Sequence, residues 1–212
     1  PRFVIGESLL PRCMEALEDA ELLDAVKARG FQEKFGAKFI KDDLVSDFNF
    51  SDQFSTGWTW TWQVERGDFD LTLISEVQRK GVQVDFETTV TDIRFFEDET
   101  SLTTAHRKDG SLLEISARFI IDASGYGRVI PRLFGLEGAS NLAPRKAVFA
   151  HVKDVHRNTF GEPNRIIIHS YSPGVWTWVI PFSNGNTSLG FVGNFDFFEE
   201  KGVDESQQFK AC

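Results

Sequence analysis

Arg118–Arg128 reads RFIIDASGYGR, and this stretch decides the fold class that the sequence predicts. Phe119, Ile120 and Ile121 form a short apolar run, which is typical of a strand buried on both faces of an α/β sheet. The small residues of Asp122–Gly125 then interrupt the run. Because nucleotides bind beyond the carboxyl ends of the strands in such sheets, we expect a ligand close to these residues. The alternative is an ordinary strand followed by a turn.

Length and composition describe a globular protein with many unsubstituted aromatic rings. The 212 residues are 41% hydrophobic and 26% charged, and they include 21 Phe and 5 Trp against only 2 Tyr. Rings without a hydroxyl group fill cores, or they line dry pockets for planar ligands. The formal net charge of −9 argues against nucleic acid and against anionic membranes as partners.

Cysteine usage and the chain ends indicate the compartment and the extent of the protein. Cys13 and Cys212 lie far apart, so the sequence predicts neither a disulfide framework nor a metal site, and we expect a cytoplasmic protein. No apolar run approaches the length needed to span a membrane. The chain opens without methionine and its only one is Met14, so we expect an internal fragment of a longer protein.

The helical pattern lies in two stretches. A short strand at Phe3–Ile5 precedes a turn in which Ser8 can cap the first of two short helices, and Gly30 ends the pair. A longer helix is expected between Asp68, as its N-cap, and Gly81, as its C-terminal stop.

Strands are predicted in the rest of the chain. Aromatic alternation over residues 31–64 predicts strands, with Trp58, Trp60 and Trp62 on one face as either core or pocket wall. Asp109-Gly110 and Asn184–Asn186 mark hairpin turns, and the spacing is antiparallel. The strands predicted after the second helical stretch are Val82–Val90, Thr91–Phe96, Leu102–His106, Leu112–Ile115, Ala147–Val152, Ile166–His169, Val175–Ile180 and Thr187–Val192.

Four motifs occur in a fixed order and carry a family resemblance. They are GESLLPR at 6–12, TWQVERGDFD at 61–70, the RFIIDASGYGR stretch, and WTWVIP at 176–181. Together they resemble the flavin-dependent halogenases, of the tryptophan-halogenase-like group, and their FAD-dependent oxidoreductase relatives. WTWVIP matches the WxWxIP signature that distinguishes flavin halogenases from ordinary monooxygenases, and it is the most specific of the four.

The resemblance implies an α/β (α+β) fold. A partial glutathione-reductase-like FAD-binding domain would be interleaved with an antiparallel-sheet substrate domain of the hydroxybenzoate-hydroxylase type. Residues 1–30 and 65–140 would belong to the FAD-binding domain, and residues 31–64 and 141–212 to the substrate domain.

One expected element of such proteins does not match. They begin with a GxGxxG turn that holds the FAD pyrophosphate on backbone N–H groups. Gly125-Tyr126-Gly127 does not satisfy this pattern, because Ile130 stands where the third glycine should be. We therefore expect this piece alone to hold FAD weakly or not at all, and to be inactive.

The resemblance also implies a reaction. Reduced FAD from a separate flavin reductase, dioxygen and halide would give hypohalous acid, and a lysine would direct the halogen to an electron-rich aromatic or pyrrolic ring. Lys34 sits like the lysine of the Lys-x-Gly-Gly pattern, with Ala37 in place of the second glycine, and Lys38 resembles the lysine of tryptophan-type halogenases. We favour Lys34 over Lys38, and Glu7 is a further catalytic candidate near flavin or halide. Exposed charges are the alternative for both lysines.

Further site residues follow from the same resemblance. The expected cofactor contacts are Gly6, Glu7, Ser8, Arg66, Asp122, Ala123, Ser124 and Gly125. The expected substrate-pocket residues are Trp58, Trp60, Trp62, Trp176, Trp178, Ile180 and Pro181. Asp122 could equally close its turn, and the tryptophans could equally be core. His151 and His169 fall within predicted strands, which indicates structural roles.

Three functions are therefore open. The first is an FAD-dependent halogenase acting on an aromatic or pyrrolic ring. The second, on the same fold, is a flavin monooxygenase or a reductase of isoprenoid chains. The third is a non-catalytic module that binds aromatic or lipid molecules and has lost flavin, which a GxGxxG turn upstream of the chain would exclude.

Overall fold

The computed structural model describes residues 3–157 and 162–212, which form two compact units. One unit comprises Pro1–Gly81 and Ala143–Cys212, and the other comprises Val82–Leu142. The helices are α1 (Pro11–Asp19), α2 (Leu23–Lys27), α3 (Arg66–Arg79), α4 (Val129–Leu133), α5 (Phe195–Glu199) and α6 (Glu205–Ala211). The strands are β1 (Gln32–Lys34), β2 (Gly36–Lys41), β3 (Leu44–Asn49), β4 (Thr61–Gln63), β5 (Thr88–Phe95), β6 (Ser101–Arg107), β7 (Leu112–Ala117), β8 (Lys146–Lys153), β9 (Ile166–Ser172), β10 (Val175–Pro181) and β11 (Asn186–Gly193).

This mixture of helices and strands confirms the predicted fold class. The predicted domain boundaries specify which residues bind the cofactor and which bind the substrate. A division into compact units does not test that assignment, so it stays a prediction. Among the described residues, no helix has both the length and the apolar character required to cross a membrane.

A six-stranded sheet dominates the larger unit, in the order β3-β2-β9-β10-β11-β8. Every neighbouring pair is antiparallel except β2 and β9, which confirms the predicted antiparallel spacing of the last four strands. Side chains alternate between the two faces, so Trp176, Trp178 and Ile180 share one face, here called the tryptophan face. Phe191 and Phe198 are core residues on the opposite side, where α5 and α6 pack.

A second core in the same unit joins the helices α1, α2 and α3 to the short β1–β4 pair. Eight apolar residues are buried there: Met14, Leu17, Leu22, Val26, Phe31, Trp62, Val64 and Phe69. Burying a side chain of this size stabilises a fold by about 1.5–3 kcal/mol relative to leaving it exposed. The two short helices predicted before Gly30 are confirmed as α1 and α2.

The smaller unit contains the three-stranded antiparallel sheet β5-β6-β7. The predicted turn at Asp109-Gly110 joins β6 to β7, and Gly110 has φ +84°, a conformation that glycine adopts without strain. The strand predicted at Val82–Val90 is wrong for its first six residues, because β5 begins at Thr88.

The buried central strand predicted at Phe119–Ile121 is wrong. The segment has no strand assignment, and Phe119 and Ile121 are each 82% exposed. A strand is held by the hydrogen bonds of a neighbouring strand. No strand of the described residues pairs with this segment, so its apolar character alone does not make it a strand.

The region before the first helix also differs from the prediction. Ser8 does not cap α1: Leu10 is the N-cap and Pro11 the first helical residue, while Ser8 forms an isolated bridge with Gln63. The expected strand at Phe3–Ile5 is likewise absent from the described structure.

The helix predicted to begin after Asp68 begins earlier. Its N-cap is Glu65, so Asp68 lies in the first turn of α3 and pairs with Arg29 at 2.8 Å. A carboxylate in the first turn of a helix interacts favourably with the helix dipole even when it is not the N-cap. The predicted stop is confirmed, because α3 ends at Arg79 and Gly81 has φ +90°.

Candidate active site

Lys34 is the most deeply buried lysine candidate. Lys34 is only 3% exposed. Its Nζ donates a hydrogen bond to the carbonyl of Leu9 at 2.8 Å, and the same atom lies 5.2 Å from the ring centre of Phe50. Burial lowers the pKa of Lys34 from 10.5 to about 8. Burial therefore makes the neutral amine, which is the nucleophilic form, easier to reach than in an exposed lysine.

Lys38 has different surroundings four residues further along. It lies in β2, opposite Asp47 of β3, and its Nζ is 3.4 Å from the Asp47 carboxylate. Its side chain is 24% exposed. Lys38 thus keeps both a carboxylate partner and access to water, neither of which Lys34 has in the described structure.

Several buried polar atoms surround the strand that carries Lys34. Thr61 pairs directly with Lys34 across the β1–β4 ladder, and Ser8 bridges to Gln63. Within the described residues, the Oγ of Ser8, the Oγ1 of Thr61 and the Oε1 of Gln63 are buried and have no hydrogen-bond partner. Unsatisfied polar atoms are costly in a core, and they concentrate at functional sites.

Gln63 connects this region to the WTWVIP motif. The side chain is fully buried, and its Nε2 donates to the carbonyl of Pro181 at 2.7 Å and to that of Asn164 at 3.2 Å. The end of β10 is thus attached to β4 by a side chain that the sequence alone did not single out.

Glu7 forms a buried pair with His151. Glu7 is 1% exposed, and its Oε1 lies 2.5 Å from Nε2 of His151 in β8. Its other oxygen, Oε2, is buried and has no partner in the described part of the chain. Both residues line a cavity of about 440 Å³, whose wall also includes Phe3 and Arg66.

Arg66 forms the next part of that cavity wall, and Gly6 packs closely against it. Gly6 has φ +96°, and a Cβ at this position would lie 2.9 Å from Nη1 of Arg66. The Arg66 guanidinium donates to the carbonyl of Ile5 at 3.0 Å and to both oxygens of Asp70 at 2.9 and 3.1 Å. The glycine is therefore required for the close approach of the 5–7 segment to α3.

The tryptophans lie in the two cores. Trp62 is buried in the helical core, and the rings of Trp58 and Trp60 follow it in edge-to-face contact, with centroids 5.6 and 5.0 Å apart along the series. Only Thr61–Gln63 of this stretch is a strand, so the predicted longer strand is wrong. Their role as a substrate-pocket wall stays a prediction.

WTWVIP occupies β10 as predicted. Trp178 is buried over Gly190, donates from Nε1 to Ser188 at 3.0 Å, and leaves no room for a Cβ on that glycine. Trp176 is half-buried beneath Arg145, whose guanidinium lies 5.3 Å from the ring centre. Ile180 and Pro181 are buried at the end of the strand, and the pocket role of the motif stays a prediction.

Asp122–Gly125 lie in the smaller unit, where Asp122 closes a turn. Its carboxylate accepts hydrogen bonds from the backbone N–H of Ser124 at 2.8 Å and of Ile130 at 2.9 Å. Hydrogen bonds from Ser124 and Ile130 lower the pKa of Asp122. Ser124 Oγ accepts from the N–H of Val129 at 2.9 Å, Ala123 is exposed, and Gly125 has φ +56°. Cofactor contact by these residues stays a prediction.

The structure thus places Glu7 and Arg66 at one cavity, with Gly6 against Arg66, and Lys34 beside Leu9. The sequence analysis predicts a structural role for His151 from its strand position, and the structure adds its contact with Glu7. Residues 7 and 151 are 144 positions apart, so no local pattern could have paired them.

Comparisons with known proteins identify the family of this chain. The FAD binding domain family model matches residues 5–211. A 1H-pyrrole-2-carbonyl-[peptidyl-carrier protein] brominase of Pseudoalteromonas luteoviolacea is 30% identical, over 91% of this chain and 46% of its own length. The flavin-dependent halogenase rdc2 of Metacordyceps chlamydosporia is 27% identical, over 95% of this chain and 41% of its own.

The chain is also similar to proteins whose structures have been solved. A flavoprotein/dehydrogenase from Cytophaga hutchinsonii is 58% identical, with a TM-score of 0.92 over 99% of this chain and 51% of the other. CmlS, a flavin-dependent halogenase, is 27% identical, with a TM-score of 0.83 over 99% of this chain and 38% of the other. The chain spans less than half the length of the two curated relatives. It belongs to the FAD binding domain family, as its motifs predicted.

Proposed function

We propose that this chain is part of an FAD-dependent oxidoreductase of the cytoplasm. The whole protein would use reduced FAD, dioxygen and halide to halogenate an electron-rich aromatic or pyrrolic substrate. The observation that carries this proposal is the amine of Lys34, which is buried and has a pKa of about 8. The halogenases among the similar proteins support the reaction, and the pyrrole-carbonyl brominase supports the substrate class.

The residues around the 440 Å³ cavity fit a flavin nucleotide. The Arg66 guanidinium offers a cation, Gly6 lets the backbone approach that guanidinium closely, and Glu7 Oε2 is an acceptor with no partner among the described residues. Gly6, Glu7, Ser8 and Arg66 would hold FAD on this side. When bound, reduced FAD supplies the electrons by which dioxygen and halide become hypohalous acid.

Lys34 would transfer the halogen. The neutral amine attacks the halogen of hypohalous acid, so an N–halogen bond forms, the halogen–oxygen bond breaks, and the released hydroxide takes the amine proton as water. A ring carbon then attacks the halogen, the N–halogen electron pair returns to nitrogen, and the ring proton restores the amine. About half of such amines are neutral at pH 8 when the pKa is about 8.

Trp176 and Trp178 would line the passage between flavin and substrate and keep the substrate away from the flavin. Their rings lie on the tryptophan face with Ile180, and Pro181 at the strand end is attached to Gln63. A rigid apolar wall suits an aromatic or isoprenoid substrate. A separate flavin reductase would supply the reduced cofactor.

The test uses the intact protein with reduced FAD, dioxygen, bromide or chloride, and a panel of phenols, indoles and pyrroles. Mass spectrometry of the products should show a halogen isotope pattern that depends on the added halide. Hydroxylated or saturated products without halogen would overturn the proposal in favour of a monooxygenase or reductase. Failure to bind FAD would overturn it in favour of a non-catalytic binding module.

A further inference from the structure

His151 contacts one oxygen of the buried Glu7 carboxylate, and the other oxygen, Oε2, has no partner among the described residues. Its Nε2 is 2.5 Å from Glu7 Oε1. Phe3 and Phe182 contact the imidazole edge-on, with centroids 4.6 and 5.0 Å from it. The ring orientation is therefore determined from two sides, and the imidazole cannot turn away from the carboxylate without displacing an aromatic ring.

Among the described residues, no other charged side chain of the cavity wall takes this role. Arg66 directs its guanidinium at Asp70 and at the carbonyl of Ile5. Asp68 pairs with Arg29, and Glu65 accepts a hydrogen bond from Asn184. Burying a carboxylate costs several kcal/mol unless hydrogen bonds compensate it, so the imidazole contact is what makes a buried Glu7 tolerable.

We propose that His151 is a positioning residue of the flavin site. It fixes Glu7 Oε1, and thereby leaves Oε2 as an oriented acceptor for a hydroxyl or ring N–H group of FAD. This inference rests on the proposed function, because it assigns the 440 Å³ cavity to the cofactor. It adds a residue of β8, which carries none of the four motifs, to the expected cofactor contacts.

Two substitutions separate hydrogen bonding from packing. His151→Phe keeps a ring between Phe3 and Phe182 but removes the donor to Glu7. His151→Gln places an amide Nε2 close to the imidazole Nε2, so the donor is retained. His169→Phe is the matched control, because His169 lies on the opposite face of the same sheet and contacts Tyr171.

The measurement is the dissociation constant of oxidised FAD for the intact protein, with the absorption spectrum of the bound flavin. We expect His151→Phe to weaken binding about tenfold or more and to shift the spectrum, since a hydrogen bond to a charged group is lost. His151→Gln should stay within about threefold of the wild type, and His169→Phe should match it. Wild-type affinity and spectrum in His151→Phe would overturn the inference.

Two further results complete the test. If His151→Phe does not fold, Glu7→Gln and His151→Ala take its place, alone and combined. Losses that do not add in the double variant support coupling of the two residues, whereas additive losses overturn the inference. If the wild-type protein binds no FAD, the proposed function itself is contradicted. If the wild type and His151→Phe bind FAD equally well, only the positioning role is contradicted.

Discussion

Two lysines four residues apart have opposite surroundings in this molecule. Lys34 ends the short β1 strand, is almost fully buried, and has a backbone carbonyl as its hydrogen-bond partner. Lys38 lies in the middle of the β2–β3 hairpin, partly exposed, and has a carboxylate as its partner. The same side chain is therefore a candidate reactant at one position and an ordinary surface ion at the other.

The difference teaches that loss of hydration, and not the motif alone, decides which lysine can react. A carbonyl partner compensates a buried ammonium only in part, so burial lowers the pKa of Lys34 to about 8. The nearby Cys13 opposes this shift in part. A partly exposed pair such as Lys38–Asp47 contributes about 1 kcal/mol or less.

The largest expected effect separates the two lysines by activity. Lys34→Met in the intact protein should reduce halogenation by about 1,000-fold or more, because the group that we propose to carry the halogen is gone. Lys38→Met should keep it within about threefold, since Lys38 contributes only a surface ion pair. Product formation is measured with FAD affinity as the control, which should be unchanged in both variants. Loss with Lys38→Met alone would reverse the assignment.

A second comparison concerns Gly36 and Ala37, which follow Lys34. A Cβ on Gly36 would overlap the carbonyl oxygen of Phe48 and the guanidinium of Arg165, so Gly36→Ala should destabilise the protein by about 2–4 kcal/mol. Ala37 is buried on the tryptophan face, and Ala37→Gly should cost only about 1 kcal/mol. Urea unfolding measures both. Equal costs would show that the second position of the pattern is as constrained as the first.

Strand alternation and motif order predicted much of this arrangement. The last four strands and their turn at Asn184–Asn186 came from local patterns, which depend on neighbours in sequence, where side-chain period and turn chemistry act directly. Lys34 as the favoured lysine came instead from the resemblance to the halogenases. The catalytic role of Lys34 stays a prediction, although its burial is what that role requires.

Features that depend on distant partners could not be predicted. The apolar run at Phe119–Ile121 has the composition of a buried strand, but a strand needs a neighbour and the described residues provide none. Glu7 and His151 meet only because the sheet brings β8 to the 6–8 segment. Local sequence contains no information on that contact.

The pH dependence of stability sharpens the contrast between the lysines. Below pH 8 both folded and unfolded chains hold the Lys34 proton, so the cost of the buried ammonium is fully present. Between pH 8 and 10.5 the folded state releases the proton first, and stability should rise by at most about 3 kcal/mol. Urea unfolding at pH 7.5, 9 and 10 should show this rise for the wild type and for Lys38→Met, and lack it in Lys34→Met. A rise that persists in Lys34→Met would assign it to another group.

The smallest expected effect compares two glutamines that each donate from Nε2 to backbone carbonyls. Gln63 is fully buried and serves Pro181 and Asn164, whereas Gln53 is exposed and serves Gly57 at 3.2 Å. Gln63→Met should destabilise the protein by about 1–3 kcal/mol, because buried carbonyls lose a donor that water cannot replace. Gln53→Met should stay within about 0.5 kcal/mol of the wild type, because water takes the place of its amide. If neither substitution changes the free energy of unfolding in urea, the WTWVIP strand is attached to the Lys34 region by packing alone. The surroundings of Lys34 and Lys38 would then differ only in the burial of Lys34.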